Sequence, residues 1–501
     1  MLKETAKQLS IYSELYNKIP EDHILKQINK VISFEFINKL LEASYCKNFG
    51  RPAKEPEMML RILMLQYLYN LSDERVIEEI GINLAYMWFI GINPEDELPH
   101  PSLLAKFRTM RLKDMTLDDI IPEVVRQCIE KGIISRENGI AVDTTHIEAN
   151  TTKKVPERVM KHLAKKIFKE MGQTEYDIPD YTQISDHKEA KRVMKEYLEN
   201  LIEESVEAAP EAVAEAKAVL DSDLFIEQKG IRSLSDKDAR VGNKSKTQQF
   251  FGYKAEVTMT TEGSLITAIN VNPGSYVDGK ETEHLYNNTV NSGLEINSFY
   301  GDKAYFRKDI LDLLKDADIT PYIPVSASSY KIDEENFSYN KDSDQWYCIM
   351  GNETVKRTTS KENRRGKESL RYEYHFNVEK CKDCPRRAEC MGKSTKKGKV
   401  LRISENAPEF YMHSQWAKTD EFLTEYKKRA KIEPKNAEMK RFHGMARARG
   451  YGLKSVTIQA KLTALAVNLK RICKLISSLS DSILRYLQKF GKVMIRQLKF
   501  A

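Results

Sequence analysis

The run from Phe250 to Gly274 constrains the fold most. FFGYKAEVTMT and SLITAINVNPG have the apolar, β-branched character of strands, and a Glu262-Gly263 turn between them makes the pair a β-hairpin. An earlier strand-like run, GIAVDTT at Gly139 to Thr145, is separated from the hairpin by a charged stretch from Lys153 to about Lys246, helical and acidic from Glu196 to Asp223. After the hairpin come a helix from about Glu281, the strand INSFYGDKAY, a helix from Arg307 to Asp316 and the short strand ITPYIPV. Such an order predicts an α/β core whose first strand and hairpin are held apart by a helical insertion. A second, polar insertion, about Ser326 to Asp420, contains a cysteine cluster, and a further helix follows from about Ser455.

Residues 1 to about 125 read as helical throughout. EPEMMLRILMLQYLYNLSDERVIEEIG places apolar residues at helical spacing, with Ser72 as the cap of a helix that begins at Asp73, and another helix is capped near Ser102. Short helices joined by tight turns suit either a helix-turn-helix DNA module or plain packing. With 501 residues, 41% hydrophobic and 31% charged, the chain has room for two or three domains. Its net charge of +7 is concentrated: from Glu421 onward 19 Lys and Arg stand against 5 Asp and Glu, which points to a polyanionic partner. MLKETAKQLSIYSELYNK carries charge where a signal peptide needs an apolar core, and Met58 to Leu71 is short and interrupted by Arg61 and Gln66. A cytoplasmic protein with no membrane partner is therefore expected, and seven cysteines, an odd number, fit reduced thiols.

Tyr426, Arg429, Glu433 and Lys440 are spaced by three, four and seven, so on a continuous α-helix they share one face. Asp143 and Asp302 each end a strand-like run, where the sites of α/β proteins gather, although an Asp there also serves as a cap or turn former. Together with Glu433 they give three carboxylates that can converge on hard divalent cations such as Mg2+, which suits phosphodiester displacement.

These blocks, in this order, resemble the DDE transposases of bacterial insertion sequences over nearly the whole chain. GRPAKEPEMMLRILMLQYLYNLSDERVIEEIGINLAYMWFIGI is similar to the helical domain that precedes their catalytic core, AVDTTHIEAN to the first-aspartate block and YGDKAYF to the second. DARVGNKSKTQQFFGYKAEV resembles the block leading into the hairpin, and YKKRAKIEPKNAEMK matches a signature of Tyr, two residues, Arg, three, Glu, six, Lys. The resemblance implies an α/β, RNase H-like mixed-sheet core with a helical N-terminal domain and two insertions. Residues 1–125 would be the helical, DNA-binding domain. Residues 126–475 would be the core, with insertions at about 153–246 and 326–420, and 476–501 a basic helical tail.

It further implies that Asp143, Asp302 and Glu433 are the catalytic ligands of Mg2+ or Mn2+. The substrate would be double-stranded DNA with terminal inverted repeats, joined to target DNA by a homodimer working in the cytoplasm at the nucleoid. Arg429 and Lys440 would hold phosphate, and Arg441, Arg447, Arg449 and Lys454 would track the DNA backbone. Tyr426 would stack on an unpaired base, contact a strained phosphate, or pack at the helix edge. Glu438 falls off the stripe and is expected as a solvated charge. Glu148 is a rival for the metals or an ordinary ion-pair partner, and His146, His284 and His443 are given structural roles. A domesticated DNA-binding derivative and an RNase H-like nuclease without strand transfer are the alternatives.

Cys381, Cys384 and Cys390, with Cys348 upstream, have spacings that allow structural Zn2+ or free thiols. Cys46, Cys128 and Cys473 lie on apolar helical faces and read as core.

Overall fold

The computed structural model describes residues 10–46, 53–112, 114–222, 230–245, 247–364, 367–391 and 398–498. Helices come first: α1 (Ile24–Val31), α2 (Phe36–Leu41), α3 (Pro56–Leu68), α4 (Asp73–Ile82), α5 (Leu84–Ile90), α6 (Ser102–Lys106) and α7 (Asp114–Glu130). Ser72 Oγ accepts the Arg75 N–H at 3.1 Å, so α4 starts at the expected cap. Asn83 caps α5 in the same way, and Gly91 ends it in the left-handed region. α3 is apolar around most of its circumference, with Leu60, Ile62, Leu63, Met64 and Leu65 all fully buried, which makes it the central helix of this region.

β1 (Glu137–Glu148) follows, and then α8 (Pro156–Glu170), α9 (His187–Glu204) and α10 (Pro210–Leu220) close around their own core of Val159, Leu163, Met194, Leu198 and Val213. β2 (Arg240–Asn243) lies inside the span read from sequence as insertion. It has already rejoined the sheet, pairing with β3 (Gln249–Thr260), which pairs with β1 on its other edge and with β4 (Ile266–Pro273), all antiparallel. The hairpin is where the sequence predicts it, and Asp143 stands opposite Val257. Gly252 is required at the end of this pairing, since a Cβ there would sit 2.1 Å from the Ile147 carbonyl oxygen. α11 (Thr282–Val290) and β5 (Glu295–Tyr300) come next.

By packing, the chain divides into two compact units, residues 1–296 with 430–501, and residues 297–429. This division cuts across the 126–475 core expected from sequence, because the second unit has an interior of its own. It comprises α12 (Lys308–Asp316), β6 (Thr320–Tyr322), β7 (Phe337–Asn340), β8 (Gln345–Cys348), β9 (Thr354–Arg364), β10 (Lys367–Phe376), α13 (Val378–Lys382), α14 (Arg387–Met391), β11 (Val400–Ser404), α15 (Ala407–Trp416) and α16 (Asp420–Tyr426). β5 and β6 pair in parallel, β7 with β8 antiparallel, and β11-β10-β9 form a separate antiparallel sheet. Far from being poor in apolar contacts, the segment buries Phe337, Trp346, Tyr374, Phe376 and Phe410, with Tyr411 set edge-on to Trp346 at 5.3 Å. Parallel and antiparallel pairings thus both occur, as a mixed α/β class requires.

The chain then returns to the first unit with α17 (Ile432–Phe442) and α18 (Leu453–Leu498). Leu462, Leu465 and Leu469 enter the same apolar core as α3 and α7, as their spacing predicts. The tail expected from residue 476 continues α18 rather than forming an element of its own, and residues 499–501 lie outside the described residues. Among the described residues no helix is long and apolar enough to cross a membrane.

Candidate active site

α17 lies along β1. Asn436 Nδ2 donates to Asp143 Oδ2 at 2.9 Å, and Lys440 Nζ is 3.2 Å from His146 Nδ1. Glu433, Asn436 and Lys440 recur at three and four residues, so Glu433 shares the helical face that meets β1. Beyond α17 the chain runs beside the end of β1: the Glu148 N–H donates to the Ala446 carbonyl at 3.0 Å and the Ala448 N–H to the Glu148 carbonyl at 2.8 Å. These two bonds fix the basic loop against the strand that carries Asp143, and leave the Arg447 side chain exposed.

Burial first, and then the charge of Lys244, pulls the Lys440 ammonium down to about 8, with Glu148 and Asp143 holding it up. Burial, Lys440 and Lys244 push His146 down to about 4, so its ring is neutral near pH 7. The Lys440 ammonium is therefore charged below about pH 8 and loses its charge as pH rises through that value, and with it any hold on an anion. If Lys440 holds a DNA phosphate, affinity for end DNA without added divalent metal will fall by about tenfold between about pH 7 and about pH 9, and Lys440→Met will flatten that slope. Fluorescence anisotropy with labelled end DNA checks this. An unchanged slope in the variant would remove Lys440 from phosphate binding.

The four-residue stripe is not one helix. α16 ends at Tyr426, residues Lys427–Lys431 form a 3-10 turn, and α17 begins at Ile432. Pro434 is the cause: it has no N–H for the Ala430 carbonyl and its ring crowds that oxygen, so the α-helical ladder breaks and the steady 100° advance fails. Tyr426 and Arg429 belong to the second unit and Glu433 and Lys440 to the first. Tyr426 stacks on Phe422, with ring centroids 5.7 Å apart and 15° between planes.

Asp302, in the second unit, caps the short turn Lys303–Tyr305 by accepting the Ala304 N–H at 2.7 Å. Glu438 is not a solvated charge. It pairs with buried Lys435 at 3.0 Å and with Lys470 at 3.6 Å on the face of α17 away from Asp143. Arg441 is exposed. Arg449 uses its guanidinium within the protein: it donates to Asn70 Oδ1 at 2.6 Å and to the Leu71 carbonyl at 3.1 Å, and lies over the Tyr67 ring. His443 is fully buried against the Tyr67 carbonyl at 2.8 Å, a structural role as expected.

Sequence reasoning missed Asn436 and Lys244. The available signal for Asn436 was its place three residues after Glu433, on the same helical face. Among the described residues no group of three or more His, Cys, Asp or Glu side chains is arranged to hold a metal ion. Cys348, Cys381, Cys384 and Cys390 nevertheless line one cavity of about 300 Å³ within the second unit, and none is in a disulfide.

Two family profiles match the chain: Transposase domain (DUF772) over residues 13–110 and Transposase DDE domain over residues 347–473. The second match spans Glu433 and Lys440, and the first covers α1 to α6, of which α3 to α5 lie in the stretch that resembles the domain preceding the core. With a transposase domain toward each end and a mixed α/β fold between, the chain belongs to the DDE transposases of insertion sequences.

Proposed function

We propose that this transposase cleaves DNA at the ends of its element and joins the freed 3′ hydroxyl to target DNA by metal-dependent phosphodiester chemistry in an RNase H-like core. The Asn436–Asp143 hydrogen bond carries the reading, because it fastens the helix of the signature, with Glu433 on the same face, to the strand of the first-aspartate block. The donor type suits a hard cation, although among the described residues the carboxylates are not gathered at one position. The proposed donors are carboxylate oxygens, and Asn436, only 7% exposed, has an Oδ1 with no hydrogen-bond partner among the described residues. Asp143, Asp302 and Glu433 would hold Mg2+ or Mn2+, which when bound supplies charge neutralisation at the attacking and leaving oxygens.

The chain's own residues do the rest. Asn436 fixes the orientation of the Asp143 carboxylate. Lys440, Arg441 and Arg447 hold backbone phosphates and so position the scissile bond, and Arg429 grips one with its fork, while the Tyr426 ring packs on Phe422. A homodimer would bring two transposon ends together, in the cytoplasm at the nucleoid.

The test uses full-length protein, Mg2+, a target plasmid, and DNA bearing the inverted repeats that flank the reading frame. Joined products are expected. Cleavage without joining would make the protein an RNase H-like nuclease, and binding without cleavage a domesticated derivative.

A further inference from the structure

We propose that Cys348, Cys381, Cys384 and Cys390 form a structural zinc site that staples the second unit. The four thiols come from three separate places, the end of β8, the α13 segment and α14, and all face one cavity of about 300 Å³. Residues distant in sequence are brought around one cavity, which free thiols scattered over a surface do not do.

The surroundings are built for thiolate. Cys381 is buried, and its sulfur accepts an N–H from Asn352 Nδ2 at 3.1 Å, the kind of bond that steadies a metal-bound sulfur. Asn352 is 4% exposed, lines the same cavity, and has an Oδ1 without a hydrogen-bond partner among the described residues. Its carbonyl accepts the Cys348 N–H at 2.8 Å, and the Gly351 N–H closes back on the Cys348 carbonyl at 2.8 Å, so the β8 turn holds the first thiol toward the others. Lys380, Arg387 and Lys399 also line the cavity.

Loading Zn2+ on four thiols releases four protons and leaves the centre with two negative charges, beside Arg387 and Lys399; Lys380 is paired with Glu353 at 2.8 Å, and Asp383 lines the same cavity. Zinc suits all-sulfur tetrahedral ligation with no redox demand. The sulfurs surround the cavity without meeting at one metal position, so loading draws the turn and the two short helices inward. This inference does not depend on the catalytic reading, since all four ligands lie in the second unit and none is a carboxylate.

Metal analysis of the full chain, purified under reducing conditions without chelator, decides it. The expected result is about one zinc per chain, falling to below about a tenth in the Cys381→Ser and Cys384→Ser variants and unchanged in Cys46→Ser. Because the first two variants can fail to fold, Co2+ added to wild-type protein stripped of metal gives an independent reading: thiolate-to-cobalt charge-transfer absorption of a tetrahedral site supports the proposal. Wild-type protein with zinc near zero and all thiols open to alkylation overturns it, as does iron in place of zinc or a disulfide within the cluster.

Discussion

Asp143→Asn will lower cleavage at transposon ends by about a thousandfold or more, while affinity for the same DNA stays within about twofold. Asparagine keeps the shape of the side chain and removes only its charge and its capacity as an anionic ligand. Losing one ligand of a catalytic cation removes several kcal/mol of transition-state stabilisation, and about 4 kcal/mol is about three decades in rate. Asp302→Asn and Glu433→Gln will behave alike. In Asp302→Asn the new side chain can still accept the Ala304 N–H, so a loss of cleavage there is not a loss of the turn. Gel-based cleavage and anisotropy on the same preparations separate the two readouts. If binding, melting temperature and cleavage fall together, Asp143 is a structural partner of Asn436 and the catalytic assignment is lost. The three substitutions also test one another, because ligands of a shared centre give similar losses that do not add when combined.

The parts of this fold legible in the sequence were those set by local periodicity. The hairpin, the Ser72 cap and the Leu462, Leu465, Leu469 stripe are each decided by residues within one turn or one strand pair. The stripe from Tyr426 to Lys440 failed locally too, since Pro434 was present to be read, and a proline at the third position of a helix can be tolerated only if the preceding turn gives way. The insertion at about 326–420 reads as polar for a different reason. Its strands alternate single aromatics with charges, as in RYEYHF, so Tyr374 and Phe376 are buried while the segment's mean hydropathy stays low. For Asn436 the sequence offers only its place on the Glu433 face; its partner Asp143 is 293 residues away, and an Asn in a charged helix normally faces water.

Asn468 poses the same problem in the core, with a larger consequence for stability. It sits in α18 beside the leucine stripe and is fully buried, so composition alone would favour replacing it with leucine. The structure gives it a bidentate task instead. Its Oδ1 accepts the Ile266 N–H and its Nδ2 donates to the Ile266 carbonyl, both at 2.7 Å, which fastens the first residue of β4 to the helix. Asn468→Leu gains apolar area and helix propensity but strands a buried donor and a buried acceptor, each costing about 1–3 kcal/mol, against about 1–2 kcal/mol from the added burial. Overpacking in a tight core adds to the loss, so the variant will be destabilised by about 2–4 kcal/mol. Urea unfolding gives the size of the effect, and hydrogen exchange at the Ile266 amide gives its place, since protection there will fall first. β4 pairs with β3 and β3 with the strand that carries Asp143, so the weakened clamp lies two strands from the site. A leucine variant as stable as wild type, with Ile266 still protected, would mean that apolar packing alone holds α18 to the sheet.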